Sequence, residues 1–220
     1  MTGVQSRRDY SVCRVHSVRC VQRQTRLRDR RNDAARHRRY DASDAIDAID
    51  AREAMTRQAL RIGVIADTHG LFDRTILRHF EGVDHILHAG DIGDRAVLAQ
   101  LERLAPVTAV SGNVDGYEES GYPPETVLEL GGRRIALRHI LYQGGKLTKE
   151  GRAFLDRERL DVCIFGHTHQ PKAEWYGATL LFNPGSAGPK RFKLPRGLGI
   201  LTIANDIITP IHIVLSEQSD

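Results

Sequence analysis

The stretch Arg61-Ile62-Gly63-Val64-Ile65-Ala66-Asp67-Thr68-His69-Gly70 decides how the chain is read. Ile62–Ala66 is a short apolar run with β-branched residues, the pattern of a strand buried on both faces. Apolar character stops abruptly at Asp67-Thr68-His69-Gly70. A carboxylate and an imidazole, two residues apart, therefore stand where a strand ends, and Gly70 permits a sharp turn. In open α/β sheets ligands bind at the carboxyl ends of strands. A site at this end needs partners for Asp67 and His69 from other strand ends.

The residues that follow supply them. Asp73 is placed to cap a helix over about 74–81, with Ile76, Leu77 and Phe80 on one face. Asp84–Asp91 is again a short apolar strand ending in Gly-Asp. Asp94 caps a second helix, about 95–104, whose Val97, Leu98, Leu101 and Leu104 share an apolar face and which Pro106 ends. Val107–Val110 is a third strand, ending in Ser111-Gly112-Asn113-Val114-Asp115-Gly116. Strands separated by helix-length crossovers argue a parallel sheet. The second half is strand-rich. Thr126–Leu130 and Arg133–His139 read as a hairpin through Gly131-Gly132. Thr148 opens a helix to about Leu160, and Asp161–Phe165 is a strand ending in Gly166-His167-Thr168-His169. Further strands are expected near 172–176, 179–182, 197–204 and 207–215, the last two joined by an Asn205-Asp206 turn. Residues 114–124, 140–147 and 187–196 read as loops. The fold class is α/β: two mixed sheets face to face with helices outside.

Five strand or loop ends thus carry metal-type ligands: Asp67 and His69, Asp91, Asn113, His139, and His167 with His169. Three oxygen donors and four imidazoles, with no thiolate among them, suit divalent first-row metals such as Mn, Fe, Ni or Zn and argue against structural zinc. Seven ligands exceed the needs of one ion. With one bridging carboxylate they divide into two sets of four, and paired metals clamp the attacking and leaving oxygens of phosphoryl transfer. An extended backbone would point Asp67 and His69, and likewise His167 and His169, to one side. Glycines 70, 90, 112 and 166 let the backbone approach the site and turn away.

In this order, D-x-H, G-D, G-N-x-D, H and G-H-x-H, followed by Asn183-Pro184-Gly185-Ser186, the motifs resemble the calcineurin-like metallophosphoesterase superfamily, and the compact size is similar to its small stand-alone bacterial and archaeal phosphodiesterases. The resemblance covers about residues 60–216. It implies a four-layer α/β/β/α sandwich. It implies one cation held by Asp67, His69, Asp91 and His169, and another by Asp91, Asn113, His139 and His167, most readily Mn²⁺, with Asp91, Asn113 and His139 as the catalytic residues. It further implies hydrolysis of a small phosphodiester or phosphorylated metabolite by attack of a metal-bridging hydroxide. A phosphomonoesterase or nucleotidase, or a non-catalytic scaffold similar to the retromer subunit of this fold, are the competing readings. Two departures stand out. Val114 follows Asn113 where many members of the family carry a His that protonates the leaving group. Ile140 follows His139 where the family usually has Gly.

The remaining residues carry less. His88 reads as a core or supporting residue behind Asp91, and His79, His85 and His212 as surface or packing residues. Asn183–Ser186 reads as a structural turn beside the site. Lys190, Arg191 and Lys193 are either a solvated loop or a phosphate clamp. Cys163, inside an apolar run, is a small core residue.

Of the 220 residues, 40% are hydrophobic, enough for a core, and no apolar run approaches the ~18–20 residues of a membrane span. The net charge of +4 sits in residues 1–54, where 13 Arg face 8 acids. The body is close to neutral and gives no nucleic-acid surface. The basic segment has three readings: an arm for nucleic acid or anionic lipid, a transit peptide (its Asp residues argue against this), or a disordered extension upstream of a start at Met55, which is favoured. A polar helix over about 44–55 is conceivable within it. Residues 55–220 form the expected domain. Three cysteines at no metal-ligand or framework spacing fit a reducing cytoplasm, and oligomeric state is unreadable.

Overall fold

The computed structural model describes residues 59–116, 121–191 and 193–215. The extension 1–54, its polar helix and the proposed start at Met55 lie outside the described residues.

Strand β1 (Leu60–Ile65) is central to the first sheet, running parallel to β2 (His85–His88) and antiparallel to β11 (Gly197–Ala204). Its alternation explains why it is apolar throughout. Ile62 and Val64 point toward the second sheet, whereas Ile65 packs under the helices. Gly63 lies on the helix side because the Phe80 ring fills its space: a Cβ there would come within 3.0 Å of the ring. Strands β3 (Val107–Ala109) and β12 (Ile207–Val214) complete the sheet in the order β12-β11-β1-β2-β3.

The second sheet has the order β4-β5-β8-β10-β9, with β4 (Glu125–Leu130), β5 (Arg133–Arg138), β8 (Val162–Ile164), β9 (Lys172–Tyr176) and β10 (Thr179–Asn183). Strands β5, β8 and β10 are parallel, as are β1, β2 and β3 in the first sheet. Ile62, Val64, Leu87, Ile135, Val162 and Phe182 form the apolar layer between the sheets. Helices α1 (Thr75–His79) and α2 (Arg95–Leu101) cover the first sheet through Ile76, Phe80, Val97, Leu98 and Leu101, and α3 (Lys149–Arg157) covers the second through Phe154 and Leu155. The expected four-layer α/β/β/α sandwich is the observed one.

Asp94 accepts from Ala96 N at 2.8 Å and Thr148 Oγ1 from Gly151 N at 2.9 Å, capping α2 and α3 as the sequence reading expects; the N-cap of α1 is instead Arg74, without a side-chain bond, and Asp73 stands one residue ahead of it, its Oδ1 accepting from Thr75 N at 2.8 Å. Three further expectations need correction. Helix α1 is a five-residue turn, because the chain must reverse at Gly82 (φ 67°) to enter β2, and Leu77 is left 39% exposed. Helix α2 stops at Leu101 and α3 at Arg157, short of the expected 104 and 160, although Leu160 is still buried. The loop 140–147 contains a small hairpin, β6 (Tyr142–Gln143) and β7 (Lys146–Leu147), turning through Gly144 and Gly145, both at positive φ. Strands two residues long carry no alternation for sequence reading to detect. No helix of the described residues is long and apolar enough to cross a membrane.

Candidate metal centre

The six parallel strands of the two sheets point the same polar feature at one place: their carboxyl ends. The turns after β1, β2, β3, β5 and β8 bring together Asp67, His69, Asp91, Asn113, His139, His167 and His169. One group forms where His169 Nε2 lies 3.3 Å from Asp67 Oδ1 and 3.4 Å from His69 Nε2. Two imidazole nitrogens and a carboxylate oxygen at these separations suit ligands of one cation. The other group forms around Asn113 Oδ1, which is 3.1 Å from His139 Nε2 and 3.0 Å from His167 Nδ1. Asp91 reaches both: Oδ2 is 3.8 Å from His69 Nε2, and Oδ1 is 3.3 Å from His139 Nε2. The sets Asp67-His69-His169 and Asp67-Asp91-His139 each have donor atoms mutually close enough to hold one ion. The nitrogen and oxygen donors, without sulfur, fit a divalent first-row cation.

The backbone around these residues is unusual, and sequence reading missed how. Seven described non-glycine residues have positive φ, and five of them are Asp67, His69, Asp91, His167 and His169, at 47–66°. The expectation that an extended backbone aims residues i and i+2 together is therefore corrected: left-handed turns aim them. Such conformations cost about 1–3 kcal/mol each and persist where the surroundings over-determine them, typically at functional sites. The surroundings here are backbone bonds between loops. Asp67 N donates to Gly90 O, His69 N to Asp91 O and Gly70 N to Ile92 O, while Gly188 N and Ser186 Oγ donate to Asp67 O. Gly188 packs so tightly that a Cβ on it would lie 2.3 Å from Asp67 O.

Each donor is also held from behind. The Asp67 carboxylate is fully buried and accepts from His167 N. His139 Nδ1 donates to Ala89 O at 2.7 Å, so that in the neutral imidazole Nε2 carries the lone pair facing the site. Asp115, which the sequence offered only as part of a motif, clamps two loops: its carboxylate accepts from Ile92 N, Gly93 N and Gly112 N at 2.7–3.1 Å. An acid three residues after Gly112 is the signal that could have revealed the local part of this clamp, a side chain reaching back to the N–H three residues before it. Val114, 52% exposed, contributes only its backbone, donating to Asp91 Oδ1 at 3.1 Å.

The other histidines fall where expected. His88 is fully buried and accepts from Gly90 N on Nδ1; its Nε2–H therefore donates to Thr68 Oγ1, whose hydroxyl donates to Ile92 O. Burial holds it neutral, with its pKa lowered to about 4. His212 donates to Asn183 O and packs on Phe182, and His85 bonds Thr108. Asn183 donates to Gly166 O and Thr168 Oγ1 and accepts from Gly185 N, so Asn183–Ser186 is a structural turn beside the site. Lys190, Arg191 and Lys193 are exposed, and Arg191 is close enough to help burial lower the pKa of His69.

Electrostatics favour the ligand forms at most positions. Burial alone would raise the Asp91 carboxyl, but the hydrogen bond and charge of His139, the Val114 N–H and the charge of His69 bring it to about 2. Burial lowers the pKa of His69 and of His167, disfavouring their charged forms. His139 moves the other way: burial opposes its charge, but the Asp91 hydrogen bond and the Asp67 and Asp91 charges outweigh it. A cation held by His139 would compete with that proton.

Comparison with known proteins agrees with this geometry. The profile of the calcineurin-like phosphoesterase superfamily domain matches residues 60–206. A probable metallophosphoesterase of Methanocaldococcus jannaschii is 39% identical over 134 residues, 57% of this chain and 67% of that protein. A phosphodiesterase of the same organism is 28% identical over 145 residues, 57% of this chain and 83% of that protein. The crystal structure of Entamoeba histolytica Vps29 complexed with zinc superposes with a TM-score of 0.61 at 24% identity, covering 73% of this chain and 95% of Vps29, a likeness of fold. Motif order, fold and kinship coincide: the chain belongs to the calcineurin-like phosphoesterase superfamily, whose chemistry is metal-dependent hydrolysis of phosphoesters.

Proposed function

We propose that the chain hydrolyses small phosphodiesters at a pair of divalent cations. Asp67, His69, Asp91 and His169 would hold one, and Asp91, Asn113, His139 and His167 the other. The observation that carries this reading is the placement of Asp91, with one carboxylate oxygen toward His69 and the other toward His139. A bridging ligand needs that geometry. Two cations so held would lower the pKa of a water between them and offset charge on the phosphoryl oxygens. Manganese suits the mixed donor set, as do iron, nickel and zinc.

The chain's own residues have distinct tasks. Asp91 stays ionised and aligned by the Val114 N–H. The Ala89 carbonyl fixes the tautomer of His139, and Asn113 sits between His139 and His167. Val114 offers no acid for the departing alcohol, so esters of acidic alcohols are favoured. The 28% identical phosphodiesterase supports the diester over the monoester. A cytoplasmic setting fits the free, buried thiol of Cys163.

The test is hydrolysis of bis(p-nitrophenyl) phosphate and p-nitrophenyl phosphate by the Mn²⁺-loaded protein beside Asp91→Asn. Metal-dependent turnover of the diester in preference to the monoester, reduced at least ~100-fold in the variant, is expected. Preference for the monoester would assign a phosphatase or nucleotidase. Absence of metal-dependent turnover on both would assign a scaffold.

A further inference from the structure

We propose that the cavity on the far side of His167 binds one ester arm of the substrate, and that this arm is a hydroxylated, ring-sized alcohol of the sugar or nucleoside class. This rests on the phosphodiesterase reading above. The His167 ring belongs to both places. Its Nδ1 stands 3.0 Å from Asn113 Oδ1, and the residue also walls a cavity of about 510 Å³. The cavity thus adjoins the metal centre at His167, within reach of an ester arm, and its size falls within the range of ligand sites.

The walls define the chemistry. Tyr142 and Lys172 form one side, with Phe165 behind Tyr142 at 5.3 Å between ring centroids. Tyr142 donates its hydroxyl to Glu174. Lys172 Nζ bonds Glu174 Oε2 at 2.8 Å and lies 4.9 Å from the Tyr142 ring centroid. This triad fixes the wall in advance of any ligand. An ammonium has three donors, and Glu174 takes one, so Lys172 can still donate to a hydroxyl or ring oxygen. The amides of Gln143 and Gln170 at the rim each offer a donor and an acceptor. A second phosphate would meet the Glu174 carboxylate beside Lys172, so charge gives it no advantage; a neutral polyhydroxyl ring fits. The other cavity touching the centre, about 430 Å³ beside Asn113 and His139, is walled by Pro124 and Ile140. Its Arg138 is bonded to Glu125 and to Ile140 O, which hold the guanidinium against the wall and set a carboxylate beside its charge.

The test uses two diesters with the same leaving group: thymidine 5′-(p-nitrophenyl phosphate) and methyl p-nitrophenyl phosphate, with the Mn²⁺-loaded protein. Wild type is expected to favour the thymidine ester in kcat/KM by about tenfold or more. Gln143→Trp, at an exposed hairpin position, fills the cavity, and Lys172→Met removes the ammonium. Each should erase the preference by lowering the thymidine ester alone, leaving the methyl ester within about twofold. Equal wild-type kcat/KM on both esters, or variants that lower both alike, would overturn the proposal while leaving the phosphodiesterase reading intact. If neither diester is turned over, the phosphodiesterase reading fails, and thymidine alone becomes the probe. Shifts of the Gly144 and Gly145 amide resonances, lost in Gln143→Trp, would keep the arm site; no shifts would overturn it.

Discussion

Replacing Gly112 with alanine drives a methyl group into the Asp91 carboxylate. The added Cβ would lie 2.1 Å from Asp91 Oδ1 and 2.2 Å from Asp91 N, where contacts under 3.0 Å force something to move. Gly112 is not in the left-handed region, so the perturbation is steric rather than conformational. The backbone of Asp91 is pinned, since its carbonyl accepts from His69 N and its side chain from Val114 N. Relief therefore requires the Asp91 and Gly112 segments to part by about 1 Å, carrying the carboxylate with them, the scale of misplacement that costs about 100-fold in rate. Both cation sites in the proposed assignment share that carboxylate, so metal content should fall together with activity. Overpacking of this kind destabilises by about 1–3 kcal/mol, and each kcal/mol lowers Tm by about 2–4 °C in a domain of this size. Gly177→Ala is the control: its φ is +61° and a Cβ there meets nothing within 4 Å. It should lower Tm by a few degrees through backbone strain alone, with metal content and kcat/KM unchanged. The assays are metal stoichiometry after dialysis against Mn²⁺, kcat/KM on bis(p-nitrophenyl) phosphate, and thermal melts. Wild-type stoichiometry and kcat/KM in Gly112→Ala would refute the reasoning, because the carboxylate would then have no required position.

Further expectations concern the residues around the centre. With exposed Val114 in place of an acid, log kcat on aryl diesters should fall steeply as leaving-group pKa rises; Val114→His should flatten that slope and raise rates on poor leaving groups by about 10²-fold, and a slope already flat in wild type would contradict this. Asp115→Ala strips three backbone N–H groups of their acceptor and should lower stability by about 2–4 kcal/mol in denaturant melts, with weakened metal retention; an unchanged melt would show that the loops do not need the clamp. Burial pushes the Cys163 thiol up to about 12, so near neutral pH almost none of it is thiolate, and raising pH toward 9 should still leave it inert. In a Cys13→Ser/Cys20→Ser background, a thiol reagent should label it only on unfolding; rapid labelling of the native protein would contradict the burial. Because the hydrogen bond and charges that face His139 raise its pKa, its proton competes with metal up to a higher pH than for an ordinary histidine; Mn²⁺ affinity should rise with pH through and above 6.5, and a pH-independent affinity over that range would count against it.

Much of this was legible in the chain itself, for physical reasons that are local. Strand β1 declared itself because a strand buried on both faces must be apolar at every position, and it ended visibly because a polar pair follows. Asp94 and Thr148 announced helix starts because capping needs only a side-chain oxygen and the next turn's N–H groups. The hairpin at Gly131-Gly132 showed because both central residues need positive φ. The ligand types at five strand ends identified the centre by their order alone. The register that brings those ends together is another matter. Parallel pairing of β1, β2 and β3, and of β5, β8 and β10, is a contact between distant segments, and only the tertiary structure sets the two clusters and puts Asp91 between them. Left-handed Asp67, His69, Asp91, His167 and His169 were unreadable for the same reason. Asp and His tolerate positive φ more readily than most side chains but do not require it; the loop-to-loop hydrogen bonds impose it. The same holds for Asp115 as a clamp, for Ala89 O behind His139 and for the cavity beyond His167, each assembled from segments tens of residues apart. Sequence determined which donors the chain carries, and the packing of two sheets determined where they point.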